Sequence, residues 1–234
     1  MKGKKLQVPW ANISDMMSAL MMVFLLISVT YSAQVKQQTK ELEETNDKIH
    51  KITEDYSDNR EKIYNRLNEK FSHKFEDWQA TLDSKTLTLR FNNPSILFQP
   101  GSDKLTPAFE KILRELWSGY IEVLQEYPED ISEVKIQGHT SSEWSGASLD
   151  ESYFNNMKLS QERTRSALSY CYSITPESRK AWVRKNVTAN GMSFSRPILD
   201  SNGKENIAMS RRVEFSVVVN SYTALEKIGD ALDD

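Results

Sequence analysis

Residues 16–35 read MMSALMMVFLLISVTYSAQV, a run that contains no formal charge, no proline and no glycine. A helix of this length spans about 30 Å, which matches the hydrocarbon core of a bilayer. Lys2, Lys4 and Lys5 precede the run, so the positive-inside rule predicts a cytoplasmic N-terminus and a chain that lies across the membrane after residue 35. The alternative is a cleaved signal peptide, but the run is longer than a usual signal core and residues 28–33 form a poor cleavage site.

The composition of the whole chain excludes several classes of protein. Thirty basic and 33 acidic residues give a net charge of -3, so we expect no direct binding of nucleic acid. One cysteine and three histidines exclude a disulfide framework and a closed zinc site of Cys and His ligands. We therefore expect no metal and no cofactor, and we expect Cys171 to be a small buried hydrophobe.

The segment after the apolar run is highly charged and lacks glycine and proline, which predicts a helical linker over residues 36–80. Apolar residues recur there every seven positions, but the companion heptad positions are mostly polar. This weak seam fits either a dimer stalk or a helix that lies on a partner, and the charges form a solvated face. Aromatic residues return at Phe71, Phe75 and Trp78, where we expect the helix to begin packing on the next domain. The seven-residue repeat consists of Val35, Leu42, Ile49, Tyr56 and Ile63.

The last 140 residues or so alternate between the strand and helix periods, which predicts an α/β domain of one sheet and its helices over residues 81–220. Thr106 and Pro107 are typical of a helix start, and alternation at 213–219 is typical of a strand. The predicted strands are 86–91, 134–136, 187–192 and 213–219; the predicted helices are 107–127, 156–172 and one that starts at Thr175-Pro176.

Asp15 is the most informative single residue of the apolar segment. An ionisable group near a membrane helix faces a protein partner or water rather than lipid, so Asp15 could carry an ion. Alternatively, Asp15 caps the N-terminus of the helix. Ser18 could help to bind a cation, although a serine in such a helix can also donate backward to the helix backbone. Sequence position alone leaves these alternatives open.

The segment 15–24 (DMMSALMMVF), with Trp10 shortly before it, resembles the membrane helix of MotB-type stator subunits. The resemblance implies that Asp15 is the ion-carrying residue, assisted by Ser18. It also implies that two copies of the chain, in contact with membrane lipid, stand inside a ring formed by a multi-span partner of the MotA type. The linker would then act as a plug of the ion path or as a stalk.

The C-terminal domain resembles the OmpA-like family, which binds peptidoglycan. The resemblance implies a mixed sheet packed with helices and a periplasmic location. It therefore implies a single-pass protein of the inner membrane. The matching segments are 96–98 (ILF) with Ser102 and Leu105, then 138–140 (GHT), 156–163 (NMKLSQER), Gly191 with Arg196-Pro197, and Asn206 with 210–214 (SRRVE).

The family resemblance assigns ligand contact to Arg163 and to the residue directly after Gly-His-Thr, which is an aspartate in the family and Ser141 here. Asn156, Leu159 and Arg163 share one helix face, and a guanidinium suits a bidentate grip on a stem carboxylate. A serine cannot balance an ammonium, so Glu143 or Asp150 in the same loop is a candidate substitute.

Arg211, Arg212 and His139 belong to this predicted binding site or lie beside it. One of Arg211 and Arg212 can pair structurally while the other faces ligand, and we take Arg212 as the ligand contact. We expect His139 to stabilise its loop rather than to act as a catalytic base, because no nucleophile accompanies it. The chain is therefore predicted to be a binding protein, not an enzyme.

The short N-terminus, single span and compact length are most similar to the ZorB family of Zorya anti-phage defence systems, whose ring-forming partner is ZorA. The alternatives are a flagellar MotB-type stator and a passive cell-wall tether. The predicted segments are a cytoplasmic N-terminus (1–12), a transmembrane helix (13–35), a helical linker (36–80), an OmpA-like domain (81–220) and a C-terminal tail (221–234).

Overall fold

A computed structural model describes residues 10–99, 101–220 and 229. Lys2, Lys4 and Lys5, most of the predicted cytoplasmic N-terminus, and the predicted tail apart from residue 229 lie outside the described residues. The chain divides into two compact units, Met1–Thr53 with Glu226–Asp234 and Glu54–Leu225.

Helix α1 (Trp10–Phe71) contains the apolar run. Within the first unit, the side chains of residues 13–35 are exposed on all sides of the helix. Among the described residues, this is the one helix long and apolar enough to cross a membrane by length and composition, and its most apolar stretch has a mean hydropathy of 1.9. An apolar surface on every side is what a helix surrounded by lipid requires.

The last turns of α1 belong to the second unit and pack into its core. Ile63, Leu67 and Phe71 are buried because a spacing of four residues keeps them on one stripe of the helix. Arg66 donates to Glu126 at 3.0 Å, so an ion pair accompanies the apolar contact. Ile63 is therefore a core residue of the domain and is not available to a dimer seam. The helix ends at Phe71, before the predicted limit at residue 80, and a 3₁₀ turn (Ser72–Lys74) follows.

A hairpin of β1 (Ala80–Asp83) and β2 (Thr88–Phe91) opens the sheet. The Asp83 carboxylate accepts from the backbone N–H groups of Lys85 and Thr86 at 2.9 and 2.8 Å, which fixes the turn. The predicted strand 86–91 was therefore wrong at its first two residues, which lie in this turn. β1 was missed because its four residues continue the apolar spacing of the preceding helix.

The rest of the domain follows the predicted alternation of strands and helices. Thr106 accepts from the N–H of Phe109 and Pro107 occupies the first turn, so α3 (Pro107–Gln125) begins where the sequence predicts. Ser148 and Glu151 form a capping box, which starts α4 (Leu149–Ser173) before the predicted residue 156. The elements are α2 (Pro94–Leu97), α3 (Pro107–Gln125), β3 (Ile131–His139), α4 (Leu149–Ser173), α5 (Glu177–Asn186), β4 (Val187–Gly191), α6 (Ile207–Ser210) and β5 (Arg212–Val219).

The five strands form one sheet in the order β1-β2-β5-β3-β4. β3 and β4 are parallel because α4 and α5 connect them, whereas all other neighbouring strands are antiparallel. The predicted fold class, an N-terminal apolar helix followed by a mixed-sheet α/β domain, is confirmed. Trp117, Tyr120 and Phe215 lie at the centre of its core.

Candidate functional site

A cleft of about 390 Å³ lies where β3 ends and β5 begins, beside the first half of α4. The antiparallel register sets His139 opposite Arg212, so the loop after β3 and the start of β5 meet at this edge. Gly138 lets α4 approach closely, because a Cβ there would lie 2.8 Å from Thr164 Cγ2. The cleft brings together all the residues predicted to bind peptidoglycan: Ser141, Asn156, Leu159, Arg163 and Arg212.

Arg163 presents an unpaired guanidinium to this cleft. Its Nε donates to the Ser102 carbonyl at 2.9 Å, and the group lies 5.0 Å from the centre of the Phe98 ring. These two contacts hold the plane of the guanidinium. Within residues 10–99, 101–220 and 229, no carboxylate lies within ion-pair distance of Arg163, and its Nη atoms have no hydrogen-bond partner. Burial lowers the pKa of Arg163, and the nearby charge of Arg211 lowers it further.

Ser141, at the position of the family aspartate, is buried and is held by Arg211. Arg211 donates from Nε to Ser141 Oγ at 2.9 Å and from Nη2 to Glu143 Oε2 at 2.7 Å. Glu143 lines the cleft, whereas Asp150 lines a separate shallow depression at the start of α4. Of the two candidate substitutes for the family aspartate, the structure therefore brings only Glu143 into the cleft, already paired with Arg211.

Arg212 and His139 belong to a buried polar network on the floor of the cleft. Arg212 donates to Glu214 Oε1 at 2.7 Å and to the carbonyls of Ser210 and Arg196 at 3.2 Å. His139 Nε2 lies 3.3 Å from Glu214 Oε2. Burial lowers the pKa of His139, which favours the neutral imidazole, although Glu214 opposes this effect. The contacts of Arg212 favour a structural role and leave Arg211 as the more exposed guanidinium.

Unpartnered polar atoms are concentrated on this cleft. In the described part of the chain, six buried side-chain polar atoms lack a hydrogen-bond partner; one of them, His139 Nε2, lies 3.3 Å from Glu214 Oε2, and three others are His139 Nδ1, Thr140 Oγ1 and Asn156 Nδ2. All three residues line the cleft. Buried polar groups in proteins are normally hydrogen-bonded, so this concentration indicates a surface built to contact a polar ligand.

The predicted ion-carrying residues lie on α1, in the other unit. Helix α1 begins at Trp10, so Asp15 lies inside the helix and does not cap its N-terminus. Asp15 is exposed, and Ser18 lies on the same face one turn later. Ser18 Oγ donates to the Ser14 carbonyl at 2.9 Å, which is the backward bond expected of a serine in such a helix. Its oxygen lone pairs stay free to accept.

Comparison with known proteins identifies the family. No protein-family model matches the chain. The chain is 42% identical over 221 residues to the Zorya protein ZorB from Escherichia coli (strain ATCC 8739), which covers 94% of this chain and 91% of the E. coli protein. The chain belongs to the ZorB family.

One solved structure shares the fold of this ZorB-family chain. A MotB-like protein from Desulfovibrio vulgaris is 24% identical, with a TM-score of 0.53, and covers 71% of this chain and 98% of that protein. The cell wall anchor of the T6SS from Pseudomonas aeruginosa is 20% identical, with a TM-score of 0.46, and covers 66% and 98% of the two chains.

Sequence reasoning missed two residues of the site in this ZorB-family chain. Arg211 was not predicted as a ligand contact, because Arg212 was taken in its place. Glu214 was given no role, although its contacts with Arg212 and His139 anchor the cleft floor. The alternation of β5 carried a usable signal. Val213, Phe215 and Val217 face the core, so Arg212 and Glu214 must share the opposite face of the strand.

Proposed function

We propose that this ZorB-family chain is a membrane-anchored, peptidoglycan-binding subunit of the stator type in an ion-driven motor complex that uses protons and acts in anti-phage defence. The observation that carries the proposal is the cleft, which is lined by the unpaired Nη atoms of Arg163 and by the unpartnered Nδ2 of Asn156. These groups match the carboxylates and amides of peptidoglycan stems. The defence role is supported by the 42% identical relative that bears the Zorya name.

The membrane half of the proposal depends on α1. The chain crosses the inner membrane once, with its N-terminus in the cytoplasm and the Glu54–Leu225 unit in the periplasm. Two copies stand inside a ring of a multi-span, ZorA-type partner and also contact lipid. Asp15 carries the ion and Ser18 lies beside it. One elementary charge that crosses 100 mV releases about 2.3 kcal/mol, which is enough to bias a conformational step.

Cell-wall binding gives the motor a fixed point. A pair of helices inside a ring transmits torque to the ring only when the pair itself cannot rotate. The cleft supplies this restraint by holding a stem peptide of the wall. The output is mechanical, and the chain itself does no covalent chemistry.

Arg163→Ala tests the anchor. We expect it to weaken the binding of full-length protein to purified peptidoglycan sacculi by about tenfold or more, because charge-assisted hydrogen bonds are lost. The assay is co-sedimentation at increasing amounts of sacculi. Arg165→Ala is the matched control, since Arg165 lies on the same helix but does not line the cleft. Equal sedimentation of both variants and the wild type would remove the cleft from the proposal.

Asp15→Asn separates a motor from a passive tether. The substitution keeps size and polarity but cannot load a proton, so a motor loses phage protection while the protein still reaches the membrane and copurifies with its partner. Asp47→Asn, in the exposed part of α1 beyond the apolar run, is the control. Full phage protection by Asp15→Asn, measured as plaque counts, would favour the tether.

A further inference from the structure

The cleft has an excess of positive charge that its own residues do not neutralise. Arg163 and Arg211 both line it, and Glu143 is the one carboxylate among the described lining residues. Glu143 pairs with Arg211 at 2.7 Å, so the cleft keeps a net positive charge from the unpaired guanidinium of Arg163. Arg212 also lines the cleft, but Glu214 neutralises it.

No carboxylate of the cleft is free to hold an ammonium group. Ser141 supplies a hydroxyl that already accepts a hydrogen bond from Arg211, and the Glu143 carboxylate is engaged by the same guanidinium. A cation placed here would also meet the field of Arg163, whose pKa the charge of Arg211 depresses in addition to the effect of burial. Asp103 offsets this only in part and lies outside the cleft. The site therefore repels an ammonium and attracts an anion.

The unpartnered groups of the cleft are suited to the same kind of ligand. Asn156 Nδ2 is a donor, Thr140 Oγ1 can donate, and the Nη atoms of Arg163 donate in a planar fork. A carboxylate offers about four acceptor positions on two oxygens and can satisfy several of these donors at once. A zwitterionic group would leave its positive half without a partner.

We propose that the cleft binds the free carboxylate of a peptidoglycan stem through Arg163 and Arg211 together, without a contact to the stem ammonium. This inference rests on the proposed function, because it names the part of the stem that the same site recognises. The stem is selected by its negative charge. Amidation of the stem carboxylate weakens binding by about tenfold or more, whereas modification of the stem amine leaves it intact.

Three forms of one soluble stem peptide test the proposal against full-length protein in detergent micelles. The forms are the tripeptide that ends in diaminopimelate, the same peptide acetylated on its free side-chain amine, and the same peptide amidated on the diaminopimelate carboxylates. Calorimetry should give dissociation constants within about twofold for the first two forms and weaker binding by about tenfold or more for the amidated form. Arg211→Ala should weaken the first two forms about equally.

Ser141→Asp is the diagnostic variant, because it adds a second carboxylate to the cleft, where Arg211 is already paired with Glu143. We expect this variant to acquire a preference for the free amine over the acetylated amine, while Arg165→Ala binds as the wild type does. The proposal is overturned if acetylation of the amine abolishes binding to the wild type, or if amidation has no effect. Binding to sacculi without binding of any stem peptide overturns it and leaves the cell-wall anchor intact. Binding to neither overturns both proposals.

Discussion

Glu214→Gln should strongly destabilise the domain, although it only replaces one buried carboxylate oxygen by an amide nitrogen. Glu214 is 7% exposed and accepts at 2.7 Å from Nε of both Arg90 and Arg212. Arg212 is 6% exposed, so glutamine leaves a buried guanidinium without a compensating charge. Removal of one partner of a buried pair costs about 3–5 kcal/mol. This is a large part of the total of about 5–15 kcal/mol typical of a domain.

The measurement is urea unfolding of the full chain in mild detergent, followed by tryptophan fluorescence. Trp117 is fully buried against Phe215, so its emission reports the core. Glu126→Gln is the control. It breaks the exposed pair with Arg66, and we expect no measurable change in the midpoint.

A double variant distinguishes an unpaired charge from a simple loss of packing. Glu214→Gln with Arg212→Met removes both charges, so it should recover much of the stability that Glu214→Gln loses. A loss of less than about 1 kcal/mol in Glu214→Gln, or no recovery in the double variant, would show that the network beneath the cleft does not act as an ion pair.

Three further perturbations test the rest of the domain. Leu67→Ala should destabilise the second unit by about 2–5 kcal/mol in urea, because Leu67 is buried, whereas Leu42→Ala at an exposed position of the same helix should have no effect. Gly191→Ala should lower the melting temperature or prevent folding, since its Cβ would lie 2.7 Å from Gln161 Cα, backbone that cannot move aside. The wild-type urea midpoint should fall with pH in two stages. Burial lowers the pKa of His139 from its ordinary 6.5, and stability is lost as the pH drops below that value. Despite its burial, Glu214 has a pKa held far below the ordinary 4.5 by His139 and Arg212, so a second loss follows below 4.5. A urea midpoint that stays constant between pH 7 and pH 3 would contradict the predicted pKa shifts of both His139 and Glu214.

The sequence predicted those elements whose signals are local and redundant. Thr106 and Pro107 marked the start of α3, and the alternation at 213–219 marked β5, because capping and period-two burial depend on neighbouring residues only. β1 has four residues and no pattern of its own. Its pairing with β2 is what makes it a strand, and pairing is not visible in a single segment.

The sequence predicted which residues line the candidate site, but not the separate roles of Arg211 and Arg212. Resemblance and helix spacing selected Asn156 and Arg163, and both line the cleft. The roles of Arg211 and Arg212 depend on the register between β5 and β3, which sets Arg212 opposite His139 and beside Glu214. Register is a property of two distant segments, so adjacent arginines could not be told apart from the sequence.

A motor needs an ionisable side chain at the position of Asp15, whereas a tether does not. An acidic residue in a membrane helix costs about 2.5–3.5 kcal/mol at the centre of the bilayer and less toward the interface, and asparagine carries no charge to desolvate. The helix begins at Trp10, so Asp15 does not offset that cost by capping. A tether would therefore be inserted at least as well with asparagine, and it would hold the wall equally well. A motor would also insert well with asparagine but would stop, because no proton could be loaded and released. The two functions thus predict the same membrane level and opposite phage protection for one conservative substitution.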